Sequence, residues 1–219
     1  RSDMSESRLP APDHRPPQEP ANATPEAGGR KPVAGKAPRW AWWVATGFGS
    51  GYLKPAPGTW GSLAALAFWC LLIGVPGFLS DAPHLNIAIP IVLLLAPVIT
   101  ALAIHASNLV VDETGLKDPS FIVADEWAGL WIAMLPSACF AYGASYGIRN
   151  LGDSYWTLAL PIAVPFFLFR LFDIWKPWPC FQLQSLSRGW GVVADDVMAG
   201  LYAAVITAIA MHWFPAGKG

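Results

Sequence analysis

An all-α, polytopic membrane fold, with about five apolar helices behind a short interfacial or re-entrant N-terminal helix, follows from three features of this sequence. The 219 residues are 54% hydrophobic and only 13% charged, with a mean hydropathy of +0.39. The apolar residues gather into uncharged runs of about fifteen to twenty, close to the length that crosses a bilayer as helix. Tryptophan occurs twelve times, and this side chain favours membrane–water boundaries.

The elements come in the following order. Arg1–Asp3, ahead of Met4, read as a cloning remnant. Residues 4–38 hold eight prolines and show no hydrophobic period, which predicts a disordered tail. The tail has no apolar segment of the signal-peptide kind, so no cleaved signal is expected. Residues 39–219 then form one helical membrane domain. Trp40–Thr46 is too short to span and suits an interfacial helix. The glycine-rich loop 47–62 feeds the first run, Leu63–Leu79, with Thr59 or Ser62 as its expected N-cap. The second run, Leu85–His105, contains Pro90 and Pro97 and follows the short connection Ser80–His84, which predicts antiparallel neighbours. A polar segment, 107–124, ends at Asp125 and Glu126 ahead of a third run, Trp127–Gly147. Asp118 and Asp125 share a face if that helix begins early. Arg149 and Asp153 mark a brief loop before the fourth and weakest run, Tyr155–Phe169. Arg170, Asp173 and Lys176 follow at spacings that put them on one helical face, up to a stop at Pro177 and Pro179. The glycine-containing loop Gln182–Gly191 precedes Asp195 and Asp196, and a fifth run, Val197–Phe214, closes the pattern.

Five spans counted from a cytoplasmic tail place Lys54, Lys117, Arg170, Lys176 and Arg188 with the basic tail on one face, and only Arg149 and Lys218 on the other. That is the positive-inside distribution. The same count brings Asp118, Asp125, Glu126, Asp173, Asp195 and Asp196 to the basic face. The formal net charge of −1 says nothing useful about partners, and no nucleic-acid partner is expected. The three cysteines, Cys70, Cys139 and Cys180, have no metal-ligand spacing and read as small apolar side chains.

Each charged group also has a plainer reading. Asp125 and Glu126 suit a helix N-terminus. Arg170 and Lys176 with Trp175 and Trp178 suit a membrane-interface anchor, but that leaves Asp173 without a role. Adjacent aspartates such as Asp195 and Asp196 repel unless a cation or proton lies between them. A carboxylate set without histidine or cysteine favours a hard cation such as Mg2+. Arg170, Lys176, Lys54 and a helix N-terminus near Thr59 and Ser62 add anion binding. Together these describe a site for a phosphorylated amphiphile at the headgroup plane. A cation transporter or channel is a second reading, although its carboxylates belong at mid-span rather than bracketing the spans. A CDP-alcohol phosphotransferase is a third, but Asp195, Asp196 and Gly200 do not reproduce that family's aspartate array.

Four motifs in sequence carry a resemblance: Gly47–Gly51 with Pro57–Ser62; Asp118 with Val123–Glu126; Phe169–Pro179; and Ala194–Gly200. Over residues 40–214 the chain resembles the phosphatidylglycerophosphatase A family. The resemblance implies a magnesium-dependent lipid phosphatase of the bacterial inner membrane, with its site facing the cytoplasm. The implied reaction converts phosphatidylglycerophosphate to phosphatidylglycerol. It implies metal-binding or catalytic roles for Asp125, Glu126, Asp173, Asp195 and Asp196, and phosphate contacts for Lys176, Arg170, Thr59 and Ser62.

Overall fold

The apolar runs do form helices, but their ends fall where local chemistry, rather than hydropathy, dictates. The computed structural model describes residues 35–79, 85–145 and 155–213. The helices are α1 (Arg39–Ala45), α2 (Pro57–Leu79), α3 (Leu85–Thr114), α4 (Ala124–Ala133), α5 (Leu135–Ser145), α6 (Tyr155–Trp175), α7 (Cys180–Leu183) and α8 (Gly189–Trp213), with a single 3-10 turn at Ser50–Tyr52. No strand occurs among the described residues. The tail to residue 34 and the connections containing Ser80–His84 and Arg149–Asp153 lie outside them.

Five expectations about boundaries are corrected. Helix α2 begins at Pro57, six residues before the apolar run, because proline's fixed φ and missing N–H suit the first helical position. Thr59 and Ser62 are therefore inside the helix rather than capping it. Helix α3 continues to Thr114, so Asp112 and Glu113 ride on a helix and only the remainder of the polar segment is a connection. Asp118 stays in that connection and α4 starts at Ala124, so Asp118 and Asp125 do not share a helical face. The third run breaks at Met134 into α4 and α5, with Pro136 in the first turn of α5, where its lack of an N–H is tolerated. Helix α8 starts at Gly189, which places Asp195 and Asp196 in its second turn.

Two helices are long and apolar enough to cross a membrane, Pro90–Thr114 within α3 and Gly189–Trp213. Only 28% and 44% of their most apolar windows are buried by the rest of the protein. The core helix of a soluble domain would be mostly covered, so these two present apolar surface to something else, and lipid fits. Leu94, Phe167, Ile174, Val205 and Ile209 are among the large apolar side chains facing outward. Cys139 is also exposed rather than buried.

Helix α4 is the hub. Leu130, Trp131 and Met134 are fully buried and pack with Trp69 of α2, Val92 of α3, Phe169 of α6 and Ala199 of α8. Where α4 crosses α8 the backbones touch. A Cβ on Gly200 would lie 2.2 Å from the Gly129 carbonyl oxygen, and one on Gly129 would lie 2.5 Å from that of Asp196. Small residues at a crossing permit this approach, as in other membrane helix pairs. The crossing sets Asp196, one turn before Gly200, beside the first turn of α4.

Candidate functional site

The starts of α2, α4 and α8 and the ends of α3 and α6 meet at one end of the bundle. Contacts across these termini fix the arrangement: Gly58 against Glu126, the Gly189 N–H donating to Asn108 Oδ1 at 2.9 Å, and Arg188 paired with Asp112 at 3.2 Å. Trp40, Trp43, Trp175, Trp178 and Trp190, in or next to these terminal segments, are exposed.

At this end the carboxylates divide into two groups. Asp125, Glu126 and Asp196 each bring an oxygen to within 4.8 Å of one another. Asp173 approaches them from α6, close enough to Asp196 for hydrogen-bond contact and within the field of Glu126. The first turn of α4 presents the neighbouring pair Asp125 and Glu126, with the Glu126 N–H donating to Asp125 Oδ1 at 3.0 Å. Glu126 Oε2 is buried and has no partner. Gly58 leaves the room Glu126 occupies, since a Cβ there would lie 2.1 Å from Oε1.

The cations are arranged around this group. The Arg170 Nη1 atom contacts Asp173 Oδ2 at 2.6 Å and donates to Ser62 Oγ at 3.3 Å. Ser62 in turn donates to the Gly58 carbonyl, so it steadies both the arginine and the first turns of α2. One guanidinium faces four carboxylates, Asp125, Glu126, Asp173 and Asp196, and three negative charges are left without an ion-pair partner among the described residues. Such a set requires protons or a cation. All its donors are oxygens and one is orphaned, which fits a hard divalent ion and not a soft one.

Asp195 belongs to the second group. Although adjacent to Asp196, it points elsewhere: Oδ2 accepts from Lys176 Nζ at 2.6 Å and from Gln184 Nε2 at 2.9 Å, while Oδ1 is buried without a partner. Burial alone would lower the Lys176 ammonium, but the hydrogen bond and charge of Asp195 outweigh it and hold the group above its ordinary value. Lys176 has left α6 and takes a left-handed backbone, φ 49°, at a position a proline follows. Asp118 lies in the field of Lys176 and Asp195.

The structure thus brings together Asp125, Glu126, Asp173 and Asp196, with Arg170 and Ser62 beside them and Lys176 with Asp195 next door. Thr59 sits half-buried in the first turn of α2, and Lys54 is exposed in the connection before it. Among the described residues neither is hydrogen-bonded to the carboxylates. Gly51 and Gly61 of the 47–62 loop serve packing, Gly51 against Phe121 and Val123 and Gly61 against Val123. Gln184 gave no signal in the sequence, where a neutral amide in a loop looks like any solvated residue.

A family model described as phosphatidylglycerophosphatase A matches residues 43–211. The phosphatidylglycerophosphatase A of Escherichia coli is 31% identical over 175 residues, covering 80% of this chain and 85% of that protein. The protein of the same name from Haemophilus influenzae is 32% identical, covering 78% and 88%. A Bacteroides thetaiotaomicron protein, provisionally described as a phosphatidylinositol-3-phosphatase, is 34% identical, covering 76% and 91%. No solved structure matches the chain.

Proposed function

Because the chain belongs to the phosphatidylglycerophosphatase A family, we propose that it hydrolyses the terminal phosphate monoester of phosphatidylglycerophosphate, yielding phosphatidylglycerol and inorganic phosphate. As a member of that family it is a phosphoric monoester hydrolase. The observation that carries the site assignment is the meeting of Asp125, Glu126 and Asp196 within 4.8 Å, with one buried oxygen unpartnered.

Asp125, Glu126 and Asp196 would hold Mg2+, with Asp173 at its edge. Bound there, the ion would offset the phosphate's charge and lower the pKa of a coordinated water. The chain's own residues prepare the rest. Arg170, held by Asp173 and Ser62, aims a guanidinium with spare N–H donors at the space a phosphate would fill. Lys176 adds a second cation beside it, fixed by Asp195. Thr59 and Lys54, at the start of α2 and before it, are assigned to the phosphate more distantly, through the helix N-terminus they flank.

The domain is placed in the bacterial inner membrane with about five passes. Helix α2, the α4–α5 pair and α6 cross beside the two long helices, and the site faces the cytoplasm. Supporting this, Lys54, Lys117, Arg170, Lys176 and Arg188 all belong to the site end of the bundle. The lipid substrate then reaches a site at headgroup level with its acyl chains still in the bilayer.

The test is phosphate release from phosphatidylglycerophosphate in detergent, with Mg2+ and with a chelator. Release only with Mg2+, lost in Asp125→Asn and Asp196→Asn, is expected. Equal release in chelator would remove the metal from the mechanism. No release under any condition would remove the substrate assignment.

A further inference from the structure

Asp195 sits next to the site yet does not join it. Adjacent residues on α8 diverge by about 100° around the helix axis, so Asp196 turns to the carboxylate group and Asp195 to Lys176 and Gln184. Both of these donors use the same oxygen, Oδ2. The other oxygen, Oδ1, is buried on a side chain only 4% exposed, and it has no donor. A buried carboxylate oxygen without a donor is costly, so its persistence points to a donor that arrives.

Three features say what kind of donor. The acceptor is anionic, so the ligand group is a hydroxyl or N–H rather than another acceptor. The acceptor belongs to the carboxylate that holds Lys176, the second cation assigned to the phosphate above. Lys176, bonded to the other oxygen of the same carboxylate, disfavours a cationic ligand group and favours a neutral one attached to an anion. A hydroxyl on the carbon next to the phosphate-bearing carbon meets all three requirements. Phosphatidylglycerophosphate has such a hydroxyl in the middle of its headgroup.

We propose that Asp195 is the residue that selects a hydroxylated headgroup, accepting at Oδ1 from the alcohol beside the scissile phosphate, and that Gln184 is a positioning residue that keeps Oδ1 free by holding Oδ2 with Lys176. This rests on the phosphatase reading above. It moves Asp195 from the metal set to substrate discrimination. A site built to accept from a substrate hydroxyl rejects the analogue that lacks it, because the buried acceptor is then left unpaired.

The experiment compares two lipids of identical acyl chains in the full-length protein with Mg2+. One is phosphatidylglycerophosphate and the other is its analogue with propanediol in place of the headgroup glycerol, so that only the hydroxyl is missing. Wild-type kcat/KM is expected to favour the hydroxylated lipid by about tenfold or more, the weight of one hydrogen bond to a charged group. Gln184→Leu and Asp195→Asn should both shrink that ratio toward one, Asp195→Asn the more. Gln184 is half-buried at the end of α7 rather than in the core, so its replacement keeps the test available if the aspartate variant fails to fold, and thermal melting identifies that case. A wild-type enzyme that hydrolyses neither lipid overturns the phosphatase reading and this inference with it. An active wild-type enzyme that treats the two lipids alike overturns this inference alone. So does a wild-type ratio that persists in Gln184→Leu, or folded variants that lose both activities in equal proportion.

Discussion

Glu126 sits between the first turn of α2 and the carboxylates Asp125 and Asp196. Its Oε1 occupies the space that a side chain at position 58 would need. Gly58→Ala should therefore displace Glu126 and reduce turnover about tenfold or more, with a loss of stability of about 1–3 kcal/mol, typical of overpacking. Wild-type turnover in that variant would show that Glu126 is not needed where it stands. Glu126→Gln and Asp196→Asn keep the shape and remove a charged oxygen ligand. Each should cost at least about a hundredfold in kcat, with melting temperatures in chelator unchanged or higher, because repulsion among the carboxylates is relieved.

At the scale of elements, the α4–α8 crossing governs the site. Gly129 and Gly200 let the two backbones touch, and this contact carries Asp196 to Asp125 and Glu126. Gly200→Val should push α8 off α4, lowering both Mg2+ response and thermal stability. A substitution on the outward face of the same helix, such as Val205→Leu, should change neither, since Val205 is exposed. Measuring Mg2+-dependent phosphate release beside melting separates the two effects. Helix ends were the least legible feature in the sequence. Pro57, Pro136 and the start of α8 were set by backbone geometry and by what the helix packs on, neither of which leaves a hydropathy signal. The carboxylates, by contrast, were legible. In a chain that is 13% charged, Asp125, Glu126, Asp173 and Asp196 stand out wherever their helices end.

For the whole molecule, the apolar outer surface and the charged end divide the labour between membrane and chemistry. The N-terminal segment is tied to the bundle from residue 37 onward, where the Ala37 N–H and the Trp42 indole N–H both donate to Glu113 Oε2. Removing residues 4–34 leaves that latch in place and should keep turnover within about twofold of the full chain. Loss of activity in a well-folded truncation would make the tail part of the site. The sequence by itself determined that this chain is helical and apolar, that its carboxylates and lysines gather at helix ends, and to which family it belongs. These are properties of composition and order along the chain, and they survive errors of several residues in any helix boundary. Only the tertiary structure decided which carboxylates share a site. Neighbouring positions on a helix point in directions about 100° apart, so Asp195 and Asp196, indistinguishable in the sequence, face Lys176 with Gln184 in one case and Asp125 with Glu126 in the other.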